Sequence, residues 1–365
     1  MVKPRSIRAR FLVSLAAVAM AVGACSTSGA SPAASAGGSA AASGGAQTYS
    51  IGLSNPGGVG NGWREEMICS AKAQALKAGN VSGVTVTHRD TDAAGQLADI
   101  RDLIAKDVDA IIVNPADPNA LNAAIKEASD AGIVVVAIDA SVTAPEAYNL
   151  SNDQQQYAYL GASWLFKQLN GQGSVVYMRG IAGHPADTDR DIGFKKALAE
   201  NPGITVARET VTKWDQATAV TQINDIISSG VEFDGIWTSG IDNVIVDALK
   251  TANHELVPIV GADGAGYVTQ LLNEADLKGA AVTNPAAVGG AGVALALQIL
   301  AGNKPANTTV HVTPEIWDNT TDAGKATLKE KADPSLNPTW PVSITIADWT
   351  TYTKAEIIAC KGPGE

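Results

Sequence analysis

Residues 99–139 constrain the fold most, because two apolar runs there alternate with two helical patterns. The runs 110–113 and 133–138 are short and almost wholly apolar, which is typical of strands covered on both faces. One helical pattern precedes the first run and the other separates the two runs, so the segment predicts a pair of parallel strands. These strands end at Asn114 and Asp139, at the edge where open α/β sheets bind ligands.

The same alternation of strands and helices extends over about 49–303. It predicts an α/β fold with parallel sheets, and the strands are too many for one compact sheet, so we expect two Rossmann-like lobes. After Lys304 the alternation stops, and prolines mark a segment that we expect to be irregular. Thr353 and Glu356 then form a capping box, which predicts a short terminal helix carrying Cys360.

Residues 1–24 have the pattern of a signal peptide, with basic residues followed by an apolar run that is too short to span a membrane. The closing stretch Val22-Gly23-Ala24-Cys25 resembles the lipobox of bacterial lipoproteins, in which Cys25 would carry the lipid. Valine replaces the usual leucine three places before the cysteine. An ordinary signal peptide with a chance cysteine is the alternative. Residues 25–48 are rich in Ser, Ala and Gly and predict a flexible tether.

The net charge of the chain is −11, and it becomes −15 once the four basic residues of the first 24 are removed, since no acid lies among them. Such an acidic protein is unsuited to nucleic acid or to an anionic membrane surface. We therefore predict neither as a direct partner.

Two further cysteines, Cys69 and Cys360, can form a disulfide if the protein is exported to an oxidising compartment. The bridge would fasten the tail to the first lobe. Two free thiols are the alternative. Neither cysteine has a CxxC partner or a nearby histidine, so a metal site and thiol catalysis are not predicted.

Enzyme motifs fail when their residues are checked. The loop at Gly58 and Gly60 starts like a dinucleotide fingerprint, but Trp63 holds the third glycine position and would block close helix packing. The stretch at Asp90 starts like a calcium loop, but Ala94 stands at a ligand position. No Walker loop, GxSxG or HExxH occurs, so we predict no catalytic residue, no metal and no cofactor.

A set of polar and aromatic residues instead follows predicted strands, namely Asn114, Asp139, Arg190, Trp214 and Asp263. Planar carboxylate, amide and guanidinium groups can each bind two neighbouring hydroxyls, and an indole can lie on the C–H face of a sugar ring. The set therefore suits a neutral ligand that is dense in hydroxyl groups.

Each of these residues also has a purely structural alternative. Asn114 could only terminate its strand, and Asp263 could only serve a turn. Trp214 could belong to the core, and Arg190 could belong to a solvated ion cluster with the acids around it.

Four runs resemble the ribose-binding-protein type of periplasmic binding protein, the sugar-binding component of ABC importers; they are LIAKDVDAIIVNPADPNAL, AGIVVVAIDA, GIAGHPADTDRDIGF and PIVGADG. The resemblance covers about 49–303. The run GNGWR is similar to the branch that binds furanose sugars such as galactofuranose.

This resemblance implies two Rossmann-like lobes joined by three crossovers, near Ser151, Thr283 and Pro305, with the ligand between them. It assigns 49–151 and 285–305 to lobe 1, 152–284 and 306–345 to lobe 2, and 346–365 to a tail that returns to lobe 1. Closure of the lobes would bury the ligand.

The resemblance also implies a set of ligand-binding residues: Trp63, Arg64, Asn114, Asp139, Arg190, Trp214, Asp242, Asp263, Thr283 and Asn284. Two departures stand out. Ala140 replaces an arginine common in the family, and the family's Asn-Asp pair is replaced by a run ending at Asp242. The family's late glutamine falls at Thr283 or Asn284.

The implied function is capture of a monosaccharide, as a pentose, hexose or furanose, for the permease subunits of an ABC importer. The protein would be a monomeric lipoprotein on the outer face of the cell membrane. A sensor of the same fold that presents its ligand to a membrane receptor is the alternative. A transcription regulator would need a helix-turn-helix where the signal segment stands, and the absent motifs disfavour an enzyme.

Overall fold

The computed structural model describes residues 47–365. The predicted signal peptide, the predicted lipidation site Cys25 and nearly all of the predicted tether lie outside the described residues. None of the described helices is both long enough and apolar enough to cross a membrane.

The described chain forms strands and helices in alternation. The strands are β1 (Tyr49–Pro56), β2 (Val81–Arg89), β3 (Ala110–Val113), β4 (Val134–Asp139), β5 (Tyr148–Asn152), β6 (Gln172–Arg179), β7 (Gly203–Val211), β8 (Gly235–Trp237), β9 (Ile259–Ala262), β10 (Gly279–Val282), β11 (Thr309–Val312) and β12 (Ile316–Asp318). The helices are α1 (Gly62–Ala78), α2 (Ala93–Ala105), α3 (Asn122–Asp130), α4 (Gln154–Gln168), α5 (Pro185–Glu200), α6 (Gln216–Ser228), α7 (Asp242–Thr251), α8 (Ala265–Asn273), α9 (Val288–Leu300), α10 (Asp322–Lys331) and α11 (Lys354–Ala359).

The strands form two six-stranded sheets, each the centre of one lobe. The first has the order β11-β5-β4-β3-β1-β2, and all of its neighbours are parallel. The second has the order β12-β10-β9-β8-β6-β7 and is parallel except for β12. The prediction of an α/β fold with two Rossmann-like lobes is confirmed.

Local sequence explains where these elements begin and end. All four residues of β3 are buried, as the apolar run predicts. Asn61 caps α1 by accepting from the Arg64 amide, and Gly79 ends α1 with a φ of 72°. The capping box of Thr353 and Glu356 opens α11 as predicted.

Close helix packing fixes α1 in the first lobe and α5 in the second. In the first lobe α9 lies so close to α1 that a Cβ on Gly289 would stand 2.1 Å from the Met67 carbonyl oxygen. In the second lobe the rings of Tyr177 and Phe194 stack at 3.8 Å and hold α5 on the sheet. Arg190 therefore projects from a helix that is fixed by aromatic packing.

The described chain passes between the lobes four times, at 153, 283–287, 313–315 and 343–346. The second and third passages are bound to each other, because the Thr283 amide donates to the Glu315 carbonyl oxygen at 2.9 Å and the Thr283 hydroxyl accepts from the Glu315 amide at 2.8 Å. Thr283 is thus part of the hinge.

One predicted boundary is wrong. The sequence assigns 306–345 to the second lobe, but β11 pairs with β5 in the first sheet, so the third passage lies at 313–315 and not near Pro305. The segment after Lys304 also contains β12 and α10, although it was expected to be irregular. The reason is that β11 is a short edge strand with no buried residue, and so it leaves no apolar run in the sequence.

The fourth passage leads the C-terminal tail back to the first lobe. Cys69 in α1 and Cys360 after α11 form a disulfide across 291 residues of sequence. Tyr352 and Ile357 pack beside it in a small buried cluster. The tail is therefore attached to α1, the same helix whose first turn faces the cleft.

Candidate ligand-binding cleft

A cavity of about 230 Å³ lies between the lobes. Pockets that hold drug-sized ligands measure about 300–1,000 Å³, so this one suits a smaller molecule. Both lobes line it; the polar and aromatic lining residues include Asn61, Trp63, Arg64, Asp139, Arg190, Lys213, Trp214, Ser239, Asp242, Asn243, Tyr267, Asn284 and Thr339.

Asp139 is the buried carboxylate of the first lobe, at the end of β4, where its φ is 65°. Its Oδ1 accepts from the side-chain amides of Asn152, at 3.2 Å, and Gln154, at 2.8 Å. No donor within residues 47–365 is hydrogen-bonded to its Oδ2. Burial raises the pKa of this carboxyl, and Arg190 and Arg64 oppose that rise.

Arg190 faces the cavity from the second lobe. Its Nε donates to Gln154 Oε1 at 2.7 Å, and its guanidinium lies 4.3 Å from the ring centroid of Tyr157 and 5.5 Å from that of Trp214. Arg190 forms no ion pair within residues 47–365. The nearby acid Asp187 pairs with Arg179 instead. Arg190 is buried and does not belong to a solvated ion cluster.

Gln154 was not predicted from the sequence, yet it joins the two charged groups. Its Nε2 donates to Asp139 and its Oε1 accepts from Arg190, so one amide orients a carboxylate of the first lobe and a guanidinium of the second. It is the first residue of α4, directly after the first passage between the lobes. A buried glutamine at a hinge leaves no motif in the sequence.

Trp63 and Arg64 enter the cavity from the first turn of α1. Trp63 Nε1 donates to the Asn284 carbonyl oxygen at 2.7 Å, and Arg64 donates to Asn55 Oδ1 at 2.7 Å. Burial lowers the pKa of Arg64, and the Asp139 charge opposes that shift. The Asn284 side chain lies 2.8 Å from the Asn152 amide nitrogen, so it belongs to the same network as Asp139.

Trp214 forms the aromatic wall of the second lobe and is not a core residue. Lys213 and Trp214 both have positive φ values, of 59° and 54°, in the turn after β7. The indole Nε1 donates to Ser239 Oγ at 3.2 Å, and the ring lies against Gly180, where a Cβ would stand 2.0 Å from Trp214 Cε2. His184 packs edge-on to the indole at 5.2 Å.

His184 supports the site while remaining uncharged. Burial lowers its pKa well below the ordinary value, and the charges of Arg64 and Arg190 lower it further. Its Nδ1 accepts from the Ala186 amide at 3.2 Å and so caps α5. The sequence analysis did not single out this residue.

Asp242 and Asp263 of the second lobe hold the backbone in place. Asp242 accepts from the Thr238 hydroxyl, from the Ala262 amide at 2.9 Å and from the Gly240 amide at 3.2 Å. Burial raises its pKa to about 6. Asp242 lines the edge of the cavity, whereas Asp263 does not line it.

Asp263 is fully buried and connects two passages between the lobes. Its Oδ1 accepts from the Asn284 amide at 2.9 Å, and its Oδ2 accepts from the Ser343 amide at 3.2 Å. Both oxygens are therefore occupied by backbone N–H groups. This structural role differs from the direct ligand contact implied by the family resemblance.

Asn114 and Thr283 also lie away from the cavity. Asn114 is fully buried, its Nδ2 lies 3.8 Å from Met67 Sδ, and its carbonyl oxygen accepts from Gln96. Thr283 belongs to the hinge. The structure thus brings the other seven predicted residues to the cavity wall and leaves Asn114, Asp263 and Thr283 behind it.

The lobes touch across the mouth of the cleft. Asn61 Nδ2, in the first lobe, donates to the Trp214 carbonyl oxygen, in the second, at 3.1 Å. The two lobes are therefore in contact at this edge of the cavity. Asn61 could have been found from the sequence as a capping residue, but nothing there indicates its contact with Trp214.

The chemistry of the wall is that of binding. The first lobe offers a carboxylate oxygen, both lobes offer guanidinium donors, and two indoles offer apolar faces. Within residues 47–365, no group of three or more His, Cys, Asp or Glu side chains could hold a metal ion. The arrangement can hold vicinal hydroxyls in fixed directions while excluding water.

Comparison with known proteins gives related results. Residues 51–304 match the family described as the periplasmic binding protein domain. The chain is 29% identical over 250 residues to the xylitol-binding protein of Mycolicibacterium smegmatis, covering 67% of this chain and 71% of that protein. It is 24% identical over 224 residues to the ribose import binding protein of Escherichia coli, covering 60% and 75%. A solved ABC transporter solute binding protein from Thermobispora bispora superposes with a TM-score of 0.72 at 25% identity, covering 80% of this chain and 90% of that one.

Proposed function

The chain belongs to the periplasmic binding protein domain family, and from this premise we propose that it captures a monosaccharide or a related small polyol between its lobes. One observation carries the proposal. Asp139, Arg64 and Arg190, which bring charged groups from both lobes, all line one cavity of about 230 Å³. A ligand dense in hydroxyl groups would supply the missing hydrogen-bond partners of all three side chains.

The size of the cavity favours a single small sugar or polyol over an oligosaccharide. Trp63 and Trp214 stand on opposite lobes and offer faces for the C–H groups of a ring or an extended carbon chain. A relative named as a xylitol-binding protein and another named for ribose support ligands of this size. The similarity of GNGWR to the galactofuranose branch supports a furanose form among the ring forms.

The cellular role follows from the sequence and the family together. We propose an extracytoplasmic, monomeric lipoprotein, attached through Cys25 to the outer face of the cell membrane, which delivers its ligand to ABC permease subunits. Two acyl chains would hold such a protein stably at the membrane. Replacement of Cys25 by alanine should release the protein from the membrane fraction, and an unchanged distribution would contradict lipid anchoring.

The binding proposal is tested with a panel of pentoses, hexoses and polyols, xylitol and D-ribose among them. A ligand that binds the folded state alone raises the melting temperature, and the stabilisation grows with the logarithm of the ligand concentration divided by its dissociation constant. We expect one narrow class to do so, with a dissociation constant measurable by calorimetry. A panel with no shift at millimolar concentrations would contradict the proposal.

Two variants locate the site. Asp139→Ala and Arg190→Ala should each weaken binding by about 10–100-fold, because a hydrogen bond to a charged group contributes about 1.5–3 kcal/mol. The matched control is Asp130→Ala, which removes an exposed first-lobe carboxylate that pairs with Lys126 at 2.7 Å. Unchanged affinity in both site variants would place the ligand elsewhere.

A further inference from the structure

We infer that residues 337–341, called here the rim segment, form the fixed wall against which the cleft closes, and that contact between Gly62 and Thr339 sets the limit of closure. The inference rests on the proposed function. Pro338, Thr339 and Pro341 line the cavity. The family match ends at residue 304, so this wall lies in a part of the chain outside the matched region.

The rim segment is hydrogen-bonded to the second lobe, and its Trp340 also packs against the first-lobe cluster around Cys69. The Pro338 and Trp340 carbonyl oxygens accept from the first amides of α8, those of Gly266 and Ala265, both at 2.8 Å. These N–H groups have no partner within their own helix, so the rim segment satisfies the helix terminus that would otherwise face the cavity. Pro341 adds an isolated β-bridge to Gly264.

The tip of the rim segment is also fixed internally. Asn337 Oδ1 accepts from the Thr339 amide at 3.0 Å and from the Thr339 hydroxyl at 2.9 Å. This arrangement is an Asx turn, which sets the direction of the backbone and orients the Thr339 side chain. The wall therefore presents one conformation to the opposite lobe.

Gly62 meets this wall from the first lobe. It is the first residue of α1, and a Cβ placed on it would stand 1.8 Å from Thr339 Oγ1 and 2.6 Å from Thr339 Cβ. Only a glycine lets α1 come this close. Trp63 and Arg64 follow directly, so the depth to which α1 closes decides where these two side chains meet the ligand.

Gly62 and Thr339 lie on different lobes, so we expect opening of the cleft to separate them. A substitution that enlarges Gly62 should therefore penalise closure and leave the open protein undisturbed. Since a ligand stabilises closure only through its greater affinity for the closed state, the penalty appears as lost affinity.

The test compares Gly62→Ala with the wild type, using as probe whichever of xylitol and D-ribose the wild type binds. We expect affinity to fall at least tenfold while the melting temperature without ligand stays within about 2 °C, since the open form avoids the clash. Ligand-induced compaction in small-angle scattering should diminish in parallel. Gly83→Ala is the control, because a Cβ there meets nothing within 4 Å.

A rescue variant identifies the partner. Combining Gly62→Ala with Thr339→Gly removes the two side-chain atoms nearest to the new methyl group, and the Thr339 carbonyl carbon then stands 3.0 Å from it. We expect the double variant to recover most of the lost affinity. A double variant as weak as the single one would show that Thr339 is not the limiting contact.

The remaining outcomes are also decisive. Equal affinity of Gly62→Ala and wild type would overturn the inference while leaving the proposed function intact. A large fall in the ligand-free melting temperature would show that the contact is present without ligand and would also overturn its role in closure. If the wild type binds no member of the sugar and polyol panel, the proposed function itself fails.

Discussion

The two lobes place acidic residues at the same structural position, the carboxyl end of a parallel strand, and use them in opposite ways. Asp139 follows β4 with one oxygen bound by side-chain amides and the other exposed to the cavity. Asp263 follows β9 with both oxygens bound by backbone N–H groups. A strand-end acid therefore keeps an oxygen available for a ligand only where the surrounding backbone does not bind both oxygens.

The difference arises from the groups that lie next to each strand end, backbone amides at β9 and side chains at β4. Two passages between the lobes run beside β9 and direct the Asn284 and Ser343 amides at Asp263. At β4 the nearby groups are side chains, Asn152 and Gln154, and both approach the same oxygen. The first-lobe acid thus lies at the cavity wall with an oxygen available, whereas the second-lobe acid fixes the two chain passages by binding their backbone amides.

The largest expected effect is on Asp263→Ala. Each buried N–H that loses its partner costs about 1–3 kcal/mol, so losing two should lower the free energy of unfolding by about 2–6 kcal/mol. Chemical denaturation measures this change, with Asp130→Ala as the exposed control. A variant as stable as the wild type would mean that Asp263 is free to bind ligand, and the contrast with Asp139 would fail.

The disulfide is expected to contribute next. It holds the tail whose earlier part supplies the Ser343 amide to Asp263. Replacing Cys69 and Cys360 by serine should cost about 2–4 kcal/mol. Denaturation with and without reductant measures the loss, and thiol titration of the denatured, unreduced wild type should find neither cysteine free. Detection of two free thiols there would contradict the bridge.

Glu66 offers a third kind of buried acid, one that neither binds backbone nor lines the cavity. It is fully buried in α1, and neither carboxyl oxygen has a hydrogen-bond partner among the described residues. Burial raises its pKa well above the ordinary value of 4.5, and the charge of Asp263 raises it further. The folded state thus holds a proton that the unfolded state releases.

Stability should accordingly fall as pH rises above about 4.5 toward the folded-state pKa of Glu66. Glu66→Gln removes this titration and should stabilise the protein by about 1–3 kcal/mol at neutral pH, because the wild type must take up a proton at Glu66 when it folds there. The measurement is the free energy of unfolding between pH 4 and 8. Glu330→Gln, at an exposed helix position, is the control, and identical pH profiles for wild type and Glu66→Gln would contradict the expectation.

The smallest effect on stability is expected for Asp139→Ala, at about 1 kcal/mol or less, because its carboxylate is bound only by side-chain amides, which can turn toward other partners. Its loss of ligand binding should nevertheless be large. Unfolding and affinity should both be measured on each variant. Asp263→Ala should lose much stability and little affinity, the opposite of Asp139→Ala. Equal losses of stability in both variants would remove the distinction between the two acids.

Much of the architecture could be predicted from local pattern. The apolar runs that became β3 and β4 and the capping box of α11 were recognisable because strand and helix formation depends on neighbouring residues. The edge strand β11 could not be recognised, since it buries no residue and is defined by its pairing with β5. The same limit applies to Gln154, whose role depends on groups from two lobes.

The sequence by itself determined the fold class, the two-lobe organisation and the placement of polar residues at strand ends. Only the tertiary structure decided which of them face the ligand cavity. Asp263 is occupied by Ser343, 80 residues away, and the cavity is closed by Thr339 against Gly62. Such contacts join distant parts of the chain, whereas periodicity and capping depend only on neighbouring residues. The sequence pattern therefore predicts where the cleft lies but not which groups form hydrogen bonds in it.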